Sequence, residues 1–174
     1  MKIRFAALAV LLSAAVAALP PLLFTTQRAE AQGVSNSLIS GYLTRMGVTW
    51  KPHSQDANAF VVTKTSGLKR ASHVEMVITN IAKDDLVTLR VFPQTSGKYL
   101  SLGAVRDQAG LTKTMLQRNA TAFGAYFVDN DGDIGFRYVF TTESGLGYDS
   151  FRVAVNELLR IADDVVVGLY NQYR

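Results

Sequence analysis

Cysteine is absent from the 174-residue chain. That removes thiol catalysis, structural disulfides and lipid attachment through an N-terminal cysteine. Histidine is nearly absent, with only His53 and His73. Neither stands in a spacing such as H-E-x-x-H, so a zinc site built on them would have to recruit carboxylates from elsewhere, and both are read as loop or surface residues. A G-x-S-x-G nucleophile elbow is also missing. No catalytic constellation emerges, and the expectation is a protein that is not an enzyme, with no cofactor and no metal.

An excess of charge of one sign is small too. The formal net charge is +4, and it shrinks once Lys2, Arg4, Arg28 and Glu30 leave with the leader described below. No basic stripe of the kind that holds nucleic acid is present, and a nucleic-acid partner is not expected. A modest basic neighbourhood, Lys64, Lys69, Arg70 and His73, is read as a solvated loop. Hydrophobic residues make up 48% of the chain, which excludes disorder and a collagen-like repeat.

Long hydrophobic runs occur only at the N-terminus. Lys2 and Arg4 precede the apolar stretch Phe5 to Leu19, Pro20 and Pro21 interrupt it, and Ala29-Glu30-Ala31 has the small-x-small form that a signal peptidase accepts. Residues 1–31 are therefore expected to be a signal peptide cleaved after Ala31, with residues 32–174 a single periplasmic or secreted domain that makes no stable membrane insertion. The alternative is an uncleaved anchor, because Phe5 to Phe24 has about the 20 residues a spanning helix needs.

Along the mature chain, Ser35 or Asn36 caps a first helix carrying Leu38, Ile39, Leu43 and Met46, and Gly47 ends it. Val48-Thr49-Trp50 is a brief extended piece. Strands follow at Phe60 to Lys64, Val74 to Ile81 and Leu86 to Phe92, the last two alternating with a period of two across the short Lys83-Asp84-Asp85 link. A second helical region carries Leu102, Val105, Ala109, Met115 and Leu116. Strands Phe123 to Val128 and Ile134 to Phe140 then flank the turn Asp129-Asn130-Asp131-Gly132-Asp133. Phe136, Tyr138 and Phe140 share one face, and the last helix is their cover. Capped by Asp149 or Ser150, it carries Phe151, Ala154, Val155, Leu158, Ile161, Ala162, Val165, Leu169 and Tyr173 in one stripe. The expected fold is α+β: an antiparallel sheet of about five strands, helices mainly on one face, in the order α-βββ-α-ββ-α.

The acidic turn does not fit an EF-hand. With Asp129 as position one, the sixth residue is Ile134 rather than glycine and the twelfth is Phe140 rather than glutamate. Asp and Gly suit a tight turn for backbone reasons alone. Thr95-Ser96-Gly97-Lys98 likewise fails as a phosphate loop, because Tyr99 follows the lysine and Gly97 has no glycine five residues before it.

The order of elements, the acidic turn after a strand preceded by Arg118-Asn119, and the long amphipathic last helix resemble the YbjN family. The likeness covers most of Val34 to Leu169 and is sharpest from Leu116 to Leu169; the exported N-terminus departs from cytoplasmic members. It implies the fold of the type III secretion chaperones, a homodimer, and partner segments wrapped on helix and sheet surfaces. On that view the candidate partner-binding residues are Leu38, Tyr42, Leu43 and Trp50, since aromatic residues anchor interfaces well; the opposing possibility is that all four complete the core. Two functions stay open. One is a chaperone-like or regulatory protein-binding module of the bacterial envelope, using a strand edge or the first helix. The other is a small-ligand sensor with a pocket under the C-terminal helix, beside Phe136, Tyr138 and Phe140.

Overall fold

A computed structural model describes residues 33–174; the expected signal peptide lies outside the described residues. The first helix, α1 (Asn36–Met46), starts where the Ser35 hydroxyl accepts the Leu38 N–H at 3.2 Å and stops where Gly47 turns to a φ of 67°. Both ends follow from residue chemistry: a short side-chain oxygen at the N-cap and a left-handed residue at the C-terminus.

The strands β1 (Thr49–Pro52), β2 (Ala59–Lys64), β3 (His73–Ile81) and β4 (Leu86–Thr95) form an antiparallel meander. A two-residue strand, β5 (Lys98–Tyr99), folds back on the end of β4. The helix α2 (Gln108–Asn119) leads to β6 (Ala125–Val128) and β7 (Ile134–Thr141), and β7 returns to pair with β4. The order across the sheet is β1-β2-β3-β4-β7-β6, with every pair antiparallel. The expected α+β class holds, but the strand count of about five is too low. The two extra strands, β1 and β5, are four and two residues long, too short to show a period in sequence. The Ser96-Gly97 tip explains β5: φ is 52° and 75° at the two residues, the paired positive values of a two-residue hairpin turn.

Register lays one row of side chains, Trp50, Val62, Met76, Val91, Phe136 and Tyr126, across the front of the sheet. Val62, Met76, Val91 and Phe136 are essentially unexposed, and they belong to the same core as Ile39 and Leu43 of α1, Leu111 and Met115 of α2, and Phe151, Val155 and Leu158 of α3 (Tyr148–Arg160). All the helices that contribute to this core do so on the front. The reverse face carries the matching row Lys51, Val61, Val77, Arg90, Arg137 and Ala125.

The second helical region begins later than its apolar spacing suggests. Leu102–Ala104 is a single 3-10 turn, and α2 starts only after Asp107, whose carboxylate accepts the Gly110 N–H at 2.8 Å. Leu116, expected in the apolar stripe, is exposed. Helix α3 starts at Tyr148 with Gly147 in the cap position, two residues before Asp149 and three before Ser150, the expected caps. It runs through a π-helical segment, Ile161–Val166, into α4 (Val167–Tyr173). The wider turn shifts the helical phase, so Val166, Val167, Leu169 and Tyr170 are buried while Ile161 and Val165 are only half-buried.

Gly135 sits where Phe127 lies across the reverse face. A Cβ there would stand 2.7 Å from Phe127 Cε1 and 2.9 Å from the Val91 carbonyl oxygen. Because one obstacle is backbone, Gly135→Ala is expected to lower stability by about 1 to 3 kcal/mol. Urea denaturation of the variant beside the parent measures it.

Candidate functional site

The four residues proposed from sequence as partner anchors do not form one patch. Leu43 has no exposed surface and is core, so it is corrected from a contact residue to a packing residue. Its position on α1 faces the sheet by the same helical spacing that singled it out. Tyr42 is committed inward: its hydroxyl donates to the Leu146 carbonyl at 2.8 Å, and its ring meets Tyr148 edge-on at 5.3 Å. Arg45 covers the other partner, with its guanidinium 3.9 Å from the Tyr148 ring centre. Trp50 is half-buried at the front edge of the sheet, edge-on to Phe60 at 5.7 Å. Leu38, 36% exposed, is the one of the four that turns substantially to solvent.

The acidic turn closes on itself. Asp129 Oδ1 accepts the N–H groups of Asp131 at 3.0 Å and Asp133 at 2.8 Å, and Gly132 takes a φ of 84°. Asp129 therefore serves the backbone as a turn residue. The Asp133 carboxyl is pushed up by partial burial and by the neighbouring Asp129 and Asp131. His53 Nδ1 accepts the Gln55 N–H at 3.2 Å in the turn after β1, while His73 opens β3 opposite Gln94.

What the sheet leaves open is found at its edges. In an antiparallel pair, alternate residues point their N–H and C=O groups to opposite sides. On β1, the His53 N–H bonds back to the Ala59 carbonyl, which turns the groups of Trp50 and Pro52 outward, and Pro52 has no N–H to offer. A proline in that place blunts an edge. On β6, the outward groups of Tyr126 are already taken: its N–H donates to Asn119 Oδ1 at 2.7 Å, and its carbonyl accepts from Asn119 Nδ2 at 3.1 Å. One side chain from α2 thus stands in for a neighbouring strand. Asn119 was singled out in the sequence only as part of a family-like pair, and nothing there disclosed this task.

The third edge is not blunted. β6 pairs with β7 only over Ile134–Arg137, so Tyr138–Thr141 has β4 on one side and no strand on the other. The bond from Thr142 N–H to the Asp85 carbonyl at 2.7 Å fixes the alternation: Tyr138 and Phe140 face β4, and Val139 and Thr141 turn their N–H and C=O groups outward. Beside this overhang lies an open apolar cleft of about 390 Å³, lined by Phe123, Tyr138, Phe140, Val153 and Ala154 with Asp149 and Ser150 at its rim. Phe123 is 50% exposed and Val153 49% exposed. Phe123 stacks flat on Tyr138, with ring centres 4.2 Å apart, and so forms one wall. The chain is forced into this course at Gly124, where any Cβ would run into the Arg137 carbonyl. Val139, 43% exposed, flanks the same edge on the reverse face.

Among the described residues, no helix is long and apolar enough to cross a membrane. No protein-family model matches the chain, and no curated protein matches it.

Proposed function

We propose that this chain is a non-catalytic, exported protein-binding module, which takes an extended polypeptide segment as an added strand on the open edge of β7. The observation that carries this reading is the overhang of β7 beyond β6. Val139 and Thr141 present donors and acceptors in strand geometry, and the cleft beside Phe123, Tyr138 and Phe140 receives alternate side chains of the incoming strand. Main-chain bonds give such recognition its affinity, and pockets for alternate side chains give it selectivity. The YbjN resemblance agrees with a chaperone-like or regulatory role, and a leader at residues 1–31 would deliver the module to the bacterial envelope. A homodimer, also implied by that resemblance, belongs to the same proposal and is read from sedimentation of the purified protein.

The test is selection of an eight-residue peptide library, displayed in extended form, on the purified protein. Peptides so retained are then measured against Val139→Pro. The Val139 N–H points away from β4, so proline removes the outward donor and leaves the inward ladder intact, a place where sheets accept proline. Affinity is expected to fall at least about tenfold, the worth of one to two hydrogen bonds at a protected edge, with the melting temperature little changed. Equal binding by the two proteins would remove the proposal.

A second reading has its own observation. The cleft volume lies within the range of small-molecule sites, which suits the sensor function. A small apolar ligand held there would raise the melting temperature of the parent and of Val139→Pro alike, whereas a strand partner distinguishes them.

A further inference from the structure

Arg90 of β4 and Arg137 of β7 are direct cross-strand partners on the reverse face of the sheet, and both are exposed. The alternation fixed by Thr142 makes theirs a non-hydrogen-bonded pair, in which the two Cα atoms stand only about 4.5 Å apart. Like charges in that arrangement destabilise a sheet. Neither guanidinium is in an ion pair with any described residue. Their neighbours in the row and along the strands are Val77, Ala125, Thr88, Phe92, Gly135 and Val139. Glu75, the acid closest in register, lies diagonal to Arg90 opposite Phe92. It stands near Tyr99, whose phenol is pushed up first by burial and then by that carboxylate. An uncompensated pair of guanidiniums, set beside an open strand edge, is complementary to a carboxylate, which arginine holds through two parallel bonds.

We infer that the segment joining β7 carries an acidic side chain on the reverse face beside Val139, and that Arg137, backed by Arg90, selects it. This rests on the strand-addition reading above. A strand beside β7 alternates its side chains between the two faces; those on the front enter the cleft, and those on the reverse pass diagonally from Arg137, within reach of its long side chain. The partner is thus an extended segment of alternating apolar and acidic residues.

The same peptide library tests this without confusing the two ideas. Retained peptides are expected to carry Asp or Glu at alternate positions, and replacement of that residue by Gln or Asn is expected to weaken binding about ten- to a hundredfold. Arg137→Gln is expected to erase the difference between acidic and neutral peptides, while its own melting temperature rises by about 1 to 4 °C as the like-charge contact is relieved. Arg90→Gln repeats the test from the adjacent strand. If acidic and neutral peptides bind alike and Val139→Pro still weakens binding about tenfold or more, the charge selection is wrong and the strand edge stands. If no extended peptide is retained by the parent, both fall.

Discussion

Asp163→Ala is expected to lower the stability of the protein by about 3 to 5 kcal/mol, the loss of several hydrogen bonds to one buried charge. Asp163 sits in the π-helical segment with 6% of its surface exposed. Its carboxylate accepts three successive backbone N–H groups from the loop between β2 and β3: Lys69 at 2.7 Å, Arg70 at 2.8 Å and Ala71 at 2.8 Å. Without it, those donors have no partner and the loop loses its tie to the C-terminal helix. The neighbouring Asp164 pairs outside with Arg70 at 3.0 Å and Lys69 at 3.7 Å, an exposed contact of small effect. Asp163→Asn is expected to recover only part of the loss, because an amide offers one acceptor oxygen where the carboxylate offers two.

The same geometry sets a pH dependence. Burial acts to raise the Asp163 pKa, but the N–H groups of Ala71, Lys69 and Arg70, with Lys64 beyond them, outweigh it and hold the carboxyl below its ordinary value. A carboxyl depressed in the folded state contributes stability above its unfolded pKa of about 3.9 and loses it as pH falls through the folded value. Denaturation midpoints should therefore be level at neutral pH and drop below about pH 4. The drop should be smaller in Asp163→Asn.

Phe136→Ala is expected to cost about 3 to 5 kcal/mol, the range for emptying a large aromatic site. Phe136 is 1% exposed in the front row, edge-on to Tyr126 at 5.0 Å, with its ring against Gly124. Since a domain of this kind holds about 5 to 15 kcal/mol in all, the variant should melt far below the parent in a thermal scan. A loss under about 1 kcal/mol would mean that the β7 face is not the floor of the core.

The elements legible in sequence are those whose period is long enough to repeat. β3 and β4 are nine and ten residues long and bury Val74, Met76 and Ile78, and Val87, Leu89 and Val91, at alternate positions, and α3 shows its apolar stripe over thirteen, so each could be read without tertiary context. β5 could not, β1 showed only as the brief extended piece Val48-Thr49-Trp50, and the stripe past Arg160 loses phase where the π segment widens the helix. For the site, the aromatic run Phe136, Tyr138 and Phe140 was visible, as was its cover by the last helix. What was not visible is the length by which β7 outruns β6, because register is a relation between strands. For the same reason the cross-strand pairing of Arg90 with Arg137 leaves no local trace. Exposure on a short helix depends on what packs against it: Leu43 turns to the sheet and is core, while Tyr42 is half-buried against Leu146, Tyr148 and Phe151.

Amide hydrogen exchange, followed residue by residue along β7 in the free protein and with a retained peptide, tests the strand-addition claim most directly. The structure predicts slow exchange at Tyr138 and Phe140, whose N–H groups bond β4, and fast exchange at Val139 and Thr141 until the peptide is added, when both become protected. Protection of Val139 and Thr141 in the free protein, or a peptide that protects α1 and leaves these two amides exchanging freely, would contradict it.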